Sequence, residues 1–151
     1  LSIVKSVIKS NDNRKNLLLK RVHRILGKNL KNKKITFLGV TFKPGTDDMR
    51  EASSLKMIPY LSKKGAFINY TDPSGAKNIL DKIKNVNFYK NIATACKNVD
   101  LIIIHTEWNE YKQLNFKKLV GRKKINLYDL RSIYSPNKLL KEKINYFSIG
   151  R

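Results

Sequence analysis

Residues 34–73 read KITFLGVTFKPGTDDMREASSLKMIPYLSKKGAFINYTDP, and this stretch decides the fold. Its two short apolar runs, at residues 35–39 and 67–70, are typical of buried strands. Between them, residues 55–64 have the spacing of a helix that ends at Gly65. A strand, a helix and a second strand in this order predict a crossover connection between two parallel strands.

The same alternation continues along the rest of the chain. Further strands are predicted at residues 101–104, 125–128 and 146–149. Further helices are predicted at residues 77–83, 92–97, 108–120 and 137–143. The pattern predicts a doubly wound α/β fold, with a mainly parallel sheet and helices on both faces. In such sheets ligands bind beyond the carboxyl ends of the strands.

A separate helical pattern precedes the first strand. Apolar residues recur at helical spacing over residues 3–26, and Gly27 follows where a helix would end. Because no capping residue stands before this pattern, we interpret residues 1–27 as the tail of a longer connecting helix. Residues 28–34 are then a linker, and residues 35–151 form the ligand-binding domain.

Length and composition favour one globular domain. A chain of 151 residues can bury one core, and no apolar run approaches the roughly 20 residues of a membrane span. The first ten residues lack the pattern of a secretory leader. The single cysteine, Cys96, can form neither a disulfide framework nor a structural zinc site. We therefore expect a cytoplasmic protein without a metal site.

The formal net charge of +21 first suggests a nucleic-acid partner. However, the excess is mainly lysine and runs through every segment, beside abundant isoleucine and asparagine. No single stretch combines arginine with aromatic residues, as nucleic-acid platforms do. Codon bias of the genome explains the charge better than a dedicated nucleic-acid surface.

The loop after the first predicted strand has the composition of an anion site. Pro44 and Gly45 form a turn, while Lys43 and Arg50 place two cations at the ligand-binding edge of the sheet. The glycine spacing matches neither a dinucleotide fingerprint nor a Walker loop. The alternative is a solvated loop that is stiffened by an ordinary ion pair between aspartate and Arg50.

Three other residues are candidates for chemistry. His105 follows the strand at residues 101–104, but no catalytic partner is evident, so a hydrogen-bonded structural histidine is the better interpretation. Arg131 follows the strand at residues 125–128 and can reach a phosphate, although a lone arginine in this place is often structural. Cys96 lies beside Ala95 in a predicted helix and fits a small core residue better than a nucleophile.

Several motifs together resemble one family. Residues 34–73 resemble the start of the carboxyl-terminal domain of the UDP-glucose/GDP-mannose dehydrogenases. HTEWNEYKQLNF and YDLRSIY resemble that domain's later signatures, and VIKSNDNRK resembles the end of the helix that links the two halves of those enzymes. The resemblance covers nearly the whole chain, and the TEW form is closer to UDP-glucose 6-dehydrogenases than to the mannose enzymes.

The resemblance implies two successive NAD-dependent oxidations that convert UDP-glucose into UDP-glucuronate. In the family, a cysteine nucleophile assisted by a lysine and an aspartate performs this chemistry, and the main NAD site lies in the amino-terminal half. Neither the FGG-type sequence around that cysteine nor the NAD fingerprint occurs here, so Cys96 does not match the nucleophile. The chain alone is therefore predicted to be inactive.

What the resemblance carries over is a binding role. Phe42 and Lys43 match positions that contact the UDP-sugar, and Arg131 matches an arginine that binds substrate. Arg50 matches an arginine that reaches the NAD held by the other domain. The implied partners are UDP-glucose, an amino-terminal NAD-binding domain, and a second subunit that pairs through the connecting helix.

Two alternatives stay open. Within the family, the chain could belong to a GDP-mannose or UDP-N-acetylmannosamine dehydrogenase, which shares the first signature. Outside it, the charge of +21 alone supports a basic α/β module that binds nucleic acid.

Overall fold

The first element is a long helix, α1, which runs from Ser2 to Leu26. The computed structural model of the chain describes residues 2–122 and 124–150. Only the second half of α1 packs on the rest of the domain, through the buried residues Leu18, Leu19 and Val22. Its first half exposes the apolar side chains Ile3, Val4, Val7 and Ile8.

The remaining elements alternate between strand and helix. The strands are β1 (Lys34–Leu38), β2 (Phe67–Thr71), β3 (Val86–Phe88), β4 (Leu101–Ile104), β5 (Asn126–Asp129) and β6 (Asn145–Ser148). The helices are α2 (Ser54–Lys63), α3 (Asn78–Asp81), α4 (Ile92–Cys96), α5 (Phe116–Val120) and α6 (Pro136–Lys141). None of the helices described in residues 2–122 and 124–150 is long and apolar enough to cross a membrane.

The six strands form one sheet in the order β3-β2-β1-β4-β5-β6. Every neighbouring pair is parallel, and in register Ile35 of β1 lies between Ile68 of β2 and Leu101 of β4. This arrangement confirms the predicted doubly wound, Rossmann-like α/β fold. Strand order reverses between β1 and β4, which leaves a crevice at the carboxyl ends of these two strands.

Alternate residues of the central strands pack on opposite faces of the sheet. Ile35 and Phe37 join α1 and α2 in one core cluster, whereas Leu38 joins α4, α5 and α6 in the other. Leu101 and Ile102 of β4 divide in the same way. Helices therefore cover both faces, which explains why these strands are continuous apolar runs in the sequence.

The predicted helix at residues 108–120 is wrong as one element. Trp108 has an extended backbone, a single 3₁₀ turn covers Asn109–Tyr111, and α5 begins only after Asn115. The Asn115 side chain caps α5 by accepting a hydrogen bond from the backbone N–H of Lys118 at 3.1 Å. The apolar spacing was right, but this cap starts a new helix inside the predicted one.

The sequence prediction also missed β3. This edge strand has three residues, of which only Val86 is buried. Polar residues flank it on the chain, so it has no apolar run. Its pairing with β2 from Ile68 to Tyr70 defines it as a strand.

Candidate functional site

The backbone at the start of the loop after β1 is hydrogen-bonded to a buried carboxylate. One oxygen of Asp72, which follows β2, accepts hydrogen bonds from the backbone N–H groups of Val40, at 2.8 Å, and Thr41, at 3.4 Å. Its other oxygen accepts from the backbone N–H of Ser74 at 2.9 Å and from its hydroxyl at 2.6 Å. Asp72 is only 4% exposed. The carboxyl ends of β1 and β2 are thereby joined through one side chain.

Gly39 lets the loops after β1 and β4 approach each other closely. Its φ is +78°, and a Cβ atom there would lie 2.5 Å from Cβ of Thr106. The hydroxyl of Thr106 donates to the carbonyl oxygen of Thr41 at 2.7 Å. The floor of the crevice therefore requires glycine at this position, both for its backbone conformation and for its missing side chain.

His105 is held as a neutral ring at this edge of the sheet. The backbone N–H of Ser54 donates to His105 Nε2 at 3.1 Å, and the Ser53 hydroxyl lies 2.9 Å from the same atom. Because Nε2 accepts, the ring proton is on Nδ1, where it donates to Thr106 Oγ1 at 3.0 Å. Burial and, secondarily, the charge of Arg131 lower the pKa of His105 to about 3. This fits the interpretation of a structural histidine.

His105 should make stability depend on pH. The unfolded chain protonates His105 below its usual pKa of about 6.5, whereas the folded protein keeps it neutral down to about 3. The stabilisation by neutral His105 is therefore fully present above about pH 6.5. It is lost progressively as the pH falls from there toward about 3. Between about pH 7.5 and about pH 5, we expect a loss of about 2 kcal/mol in the free energy of unfolding.

Urea denaturation of the wild type and of His105→Gln at both pH values measures this loss. The glutamine oxygen can still accept from Ser53 and Ser54 but does not titrate. The variant should lose less stability than the wild type over the same pH range. Equal losses in the two proteins would contradict the assignment.

Arg131 ties three loops together. Its Nε donates to the carbonyl oxygen of His105 at 2.9 Å and lies 3.2 Å from the Glu107 carboxylate. Its Nη2 donates to the carbonyl oxygen of Phe42 at 3.0 Å, across 89 positions of sequence. Arg131 therefore fastens the loop after β1 to the loop after β4. Arg131 therefore has a structural role, as one interpretation of the sequence predicted. It also lies at the edge of the sheet where a ligand site is predicted, so the two interpretations are compatible.

The backbone of Arg131 is itself fixed by a buried carboxylate. Asp129, the last residue of β5, accepts from the backbone N–H of Arg131 at 3.0 Å. Its second oxygen accepts from the Tyr146 hydroxyl at 2.8 Å and from the backbone N–H of Tyr134 at 3.2 Å. These hydrogen bonds fix the backbone from which the Arg131 guanidinium extends.

A cavity of about 400 Å³ lies at this edge, between α1 and the strand ends. It brings together Phe42 and Arg131, two of the four residues that the sequence predicted for the site. Phe42 is 49% exposed, which leaves part of its ring open to the cavity. The other described lining residues are Asn11, Arg14, Lys15, Leu18, Glu51, Ala52, Ser53, His105, Leu130 and Ile149.

The contribution of α1 to this cavity was not predicted from the sequence. Arg14 and Lys15 line the wall opposite the strand ends. They precede the buried residue Leu18 by four and three positions, so a helix places all three on neighbouring turns of one side. That spacing could have indicated them. Glu51 was also missed, and its backbone is in the left-handed region at a φ of +62°.

Lys43 and Arg50 are not among the described residues that line the cavity. Arg50 forms an ion pair with Asp48, with Nη2 3.0 Å from the carboxylate, and its side chain is 88% exposed. The hydrogen bond from Arg50 lowers the pKa of Asp48. This is the ion pair that the sequence analysis weighed as the alternative to a ligand-binding role.

Cys96 has the environment of a core residue. It is fully buried at the end of α4, and burial raises the pKa of its thiol to about 12. It packs in the cluster below the face of the sheet that α4, α5 and α6 cover. A thiol so hard to ionise is a poor nucleophile.

The sequence of the chain is similar to those of known proteins. Residues 36–136 match the model of the UDP-glucose/GDP-mannose dehydrogenase family, UDP binding domain. The chain belongs to this family. The membership predicted from the motifs at residues 34–73 is thus confirmed. The matched range contains Phe42, His105 and Arg131 of the strand-end cavity, whereas the α1 wall of the cavity lies outside it.

Relatives in the family include UDP-glucose 6-dehydrogenases from Rickettsia prowazekii and Rhizobium meliloti. The first is 35% identical over an alignment of 151 positions, which covers 98% of this chain and 35% of that protein. The second is 35% identical over 150 residues, which are 99% of this chain and 34% of that protein. The chain therefore spans about a third of the length of the curated relatives it matches.

Solved structures share the fold. A UDP-glucose dehydrogenase from Pyrobaculum islandicum superposes with a TM-score of 0.76 at 22% identity, over 99% of this chain and 32% of that one. An NDP-N-acetyl-D-galactosaminuronic acid dehydrogenase from Methanosarcina mazei superposes with a TM-score of 0.74 at 23% identity, over 92% and 29%. These likenesses support the Rossmann-like architecture of the family domain.

Proposed function

We propose that the strand-end cavity binds the UDP group of a UDP-sugar. The observation that supports this most directly is the meeting of Arg14, Lys15 and Arg131 in one cavity with the exposed ring of Phe42. Guanidinium and ammonium groups neutralise a diphosphate, and an aromatic face offers stacking to a base. The cavity lies at the strand-order reversal, the usual ligand position in this architecture.

Lys43 has the same proposed role at a greater distance. It follows Phe42 in the same loop, and its exposed side chain can turn toward phosphate oxygens at the mouth of the cavity. As an ammonium on a flexible stem, it can reach a ligand without lining the empty cavity. Phe42, Lys43 and Arg131 are together the proposed substrate-binding residues.

The proposed setting is a complete UDP-glucose 6-dehydrogenase, about three times as long as this chain. There the chain would hold UDP-glucose while an amino-terminal domain holds NAD and the nucleophilic cysteine, with two NAD used per UDP-glucuronate formed. A homodimer through α1 and a cytoplasmic location complete the proposal. The chain alone would show no turnover, because Cys96 is a buried core residue. The relatives at 35% identity favour UDP-glucose over GDP-mannose as the substrate.

Titration calorimetry of the full chain with UDP, ADP and GDP tests this function. At fixed ionic strength we expect UDP to bind more tightly than ADP and GDP, because a pocket distinguishes bases and a charged surface does not. Raising the salt should weaken all three but keep their order. A preference for GDP would favour the GDP-mannose alternative. Equal affinities that fade together with salt would support the nucleic-acid alternative instead.

Arg50 is the proposed contact to NAD. In an enzyme that contains this domain, Arg50→Ala should raise the KM for NAD much more than the KM for UDP-glucose. The reason is that its guanidinium, 88% exposed, lies outside the described lining of the UDP cavity. Steady-state kinetics with each substrate varied in turn measures the two constants.

Asp48→Asn is the matched control for Arg50. It breaks the same ion pair but keeps the guanidinium available to a ligand. If Arg50 serves only to stiffen the loop, Asp48→Asn and Arg50→Ala should have the same effect and both constants should rise together. If Arg50 contacts NAD, Asp48→Asn should leave the KM for NAD near the wild-type value. An exposed ion pair by itself stabilises little.

A further inference from the structure

The second half of α1 carries an arginine face. Arg21 follows Arg14 by seven residues and Arg24 follows by three more, which is about two helical turns and then about one. The three guanidiniums therefore lie along one side of the helix. Asp12, the acidic residue of α1, is not in phase with them.

This face borders a second cavity, of about 260 Å³, between α1 and the carboxyl ends of β5 and β6. Leu17, Leu18 and Ile149 give it apolar walls, and Tyr128 lies at its edge. Its described cations are Arg14, Lys20, Arg21 and Arg24.

Aromatic contacts hold one of these cations in place. The guanidinium carbon of Arg21 lies 5.4 Å from the centroid of the Phe147 ring, a cation–π distance. Tyr128 lines the same cavity as Arg21. Burial raises the pKa of Tyr128, and the charge of Arg21 works against that rise. Arg21 is therefore oriented by the domain instead of moving freely on the helix surface.

We propose that this second cavity is a binding site for a compact, multiply charged phosphate group such as a pyrophosphate. Four cations line this one cavity, and together they attract an anion with several charges more strongly than an anion with a single charge. Guanidinium groups match phosphate oxygens in pairs. The volume of about 260 Å³ is just below the range of about 300 to 1,000 Å³ for larger organic ligands. The site shares Arg14, Leu18 and Ile149 with the strand-end cavity, but Lys20, Arg21 and Arg24 line only the second cavity, so the proposal does not depend on UDP binding in the first.

Pyrophosphate titrations of the full 151-residue chain test this site. Pyrophosphate should occupy two classes of site, the second cavity and the cations of the strand-end cavity. We expect Arg21→Gln/Arg24→Gln to weaken pyrophosphate binding at the second cavity by at least about tenfold, in the range for lost charged hydrogen bonds. The matched control is Lys117→Gln/Lys118→Gln on α5, which makes the same charge change on the opposite face of the sheet. That control should retain both classes. Arg24→Gln alone removes an exposed side chain, so it tests the site even if loss of Arg21 disturbs packing on Phe147.

The two cavities can be separated by their ligands. Arg131→Gln should weaken UDP but keep the pyrophosphate class that Arg21→Gln/Arg24→Gln removes. The Arg21/Arg24 double variant should in turn keep its preference for UDP over ADP. Equal loss of pyrophosphate in the α5 control would overturn the second site without affecting the UDP proposal. Arg24-dependent binding of a single-stranded oligonucleotide, with no binding of pyrophosphate, would also overturn it.

Discussion

Gly39→Ala is expected to destabilise the chain by about 2 to 5 kcal/mol. The backbone of Gly39 has a φ of +78°, where a non-glycine residue is strained by roughly 1 to 2 kcal/mol. In addition, the new Cβ would lie 2.5 Å from Cβ of Thr106, an overpacking that typically costs about 1 to 3 kcal/mol. Urea denaturation monitored by circular dichroism measures the loss.

Gly45→Ala is the matched control for this prediction. Gly45 has nearly the same φ, +79°, but a Cβ there would meet no other atom within 4 Å. Gly45→Ala should therefore be destabilised only by the backbone strain, which is roughly 1 to 2 kcal/mol. If both variants lost the same stability, the close approach of the loops after β1 and β4 would not be what requires glycine at position 39.

Arg131→Ala is expected to weaken UDP binding by roughly 1.5 to 3 kcal/mol, or about 10-fold to 150-fold. Two effects act together. The cavity loses a cation that can bind phosphate, and the carbonyl oxygens of Phe42 and His105 lose the guanidinium that joins them. Calorimetric titration with UDP gives the affinity, and denaturation of the free protein gives the change in stability.

Arg122→Ala is the control for Arg131. Arg122 also forms an ion pair, with its Nη1 2.7 Å from Asp100, but at the amino ends of the strands. Its loss changes the net charge equally and should leave UDP affinity nearly unchanged. Arg131→Lys separates the two roles, since lysine keeps the charge but cannot span two carbonyl oxygens as a fork. Wild-type UDP affinity in Arg131→Ala would contradict the assignment of the cavity.

Much of the fold could be predicted from local pattern. The strand at residues 101–104 was evident because burial on both faces requires a continuous apolar run. The helix before Gly65 was evident because apolar residues recur every three to four positions in an amphipathic helix. β3 was missed because three edge residues with one buried side chain have no such pattern. The helix at 108–120 was placed too long because apolar spacing does not register the cap at Asn115.

The candidate site was less accessible to sequence reasoning. Order along the chain places Phe42, His105 and Arg131 after three strands, and parallel strands bring their carboxyl ends to one edge. The order of the strands indicates that these residues lie near one another, but it does not indicate which of them are in contact. It could not show that Arg50 pairs with Asp48 outside the described cavity lining, or that Arg14 and Lys15 reach the cavity from α1.

The sequence by itself determined the doubly wound sheet, the edge of the sheet proposed for the ligand, and the family through residues 34–73. Only the tertiary structure decided which cations meet. Arg131 reaches Phe42 across 89 positions of sequence, and the docking angle of α1 sets whether Arg14 faces the cavity. Periodicity is a property of neighbouring residues, whereas convergence on a cavity depends on how distant segments pack, and no local pattern encodes that geometry.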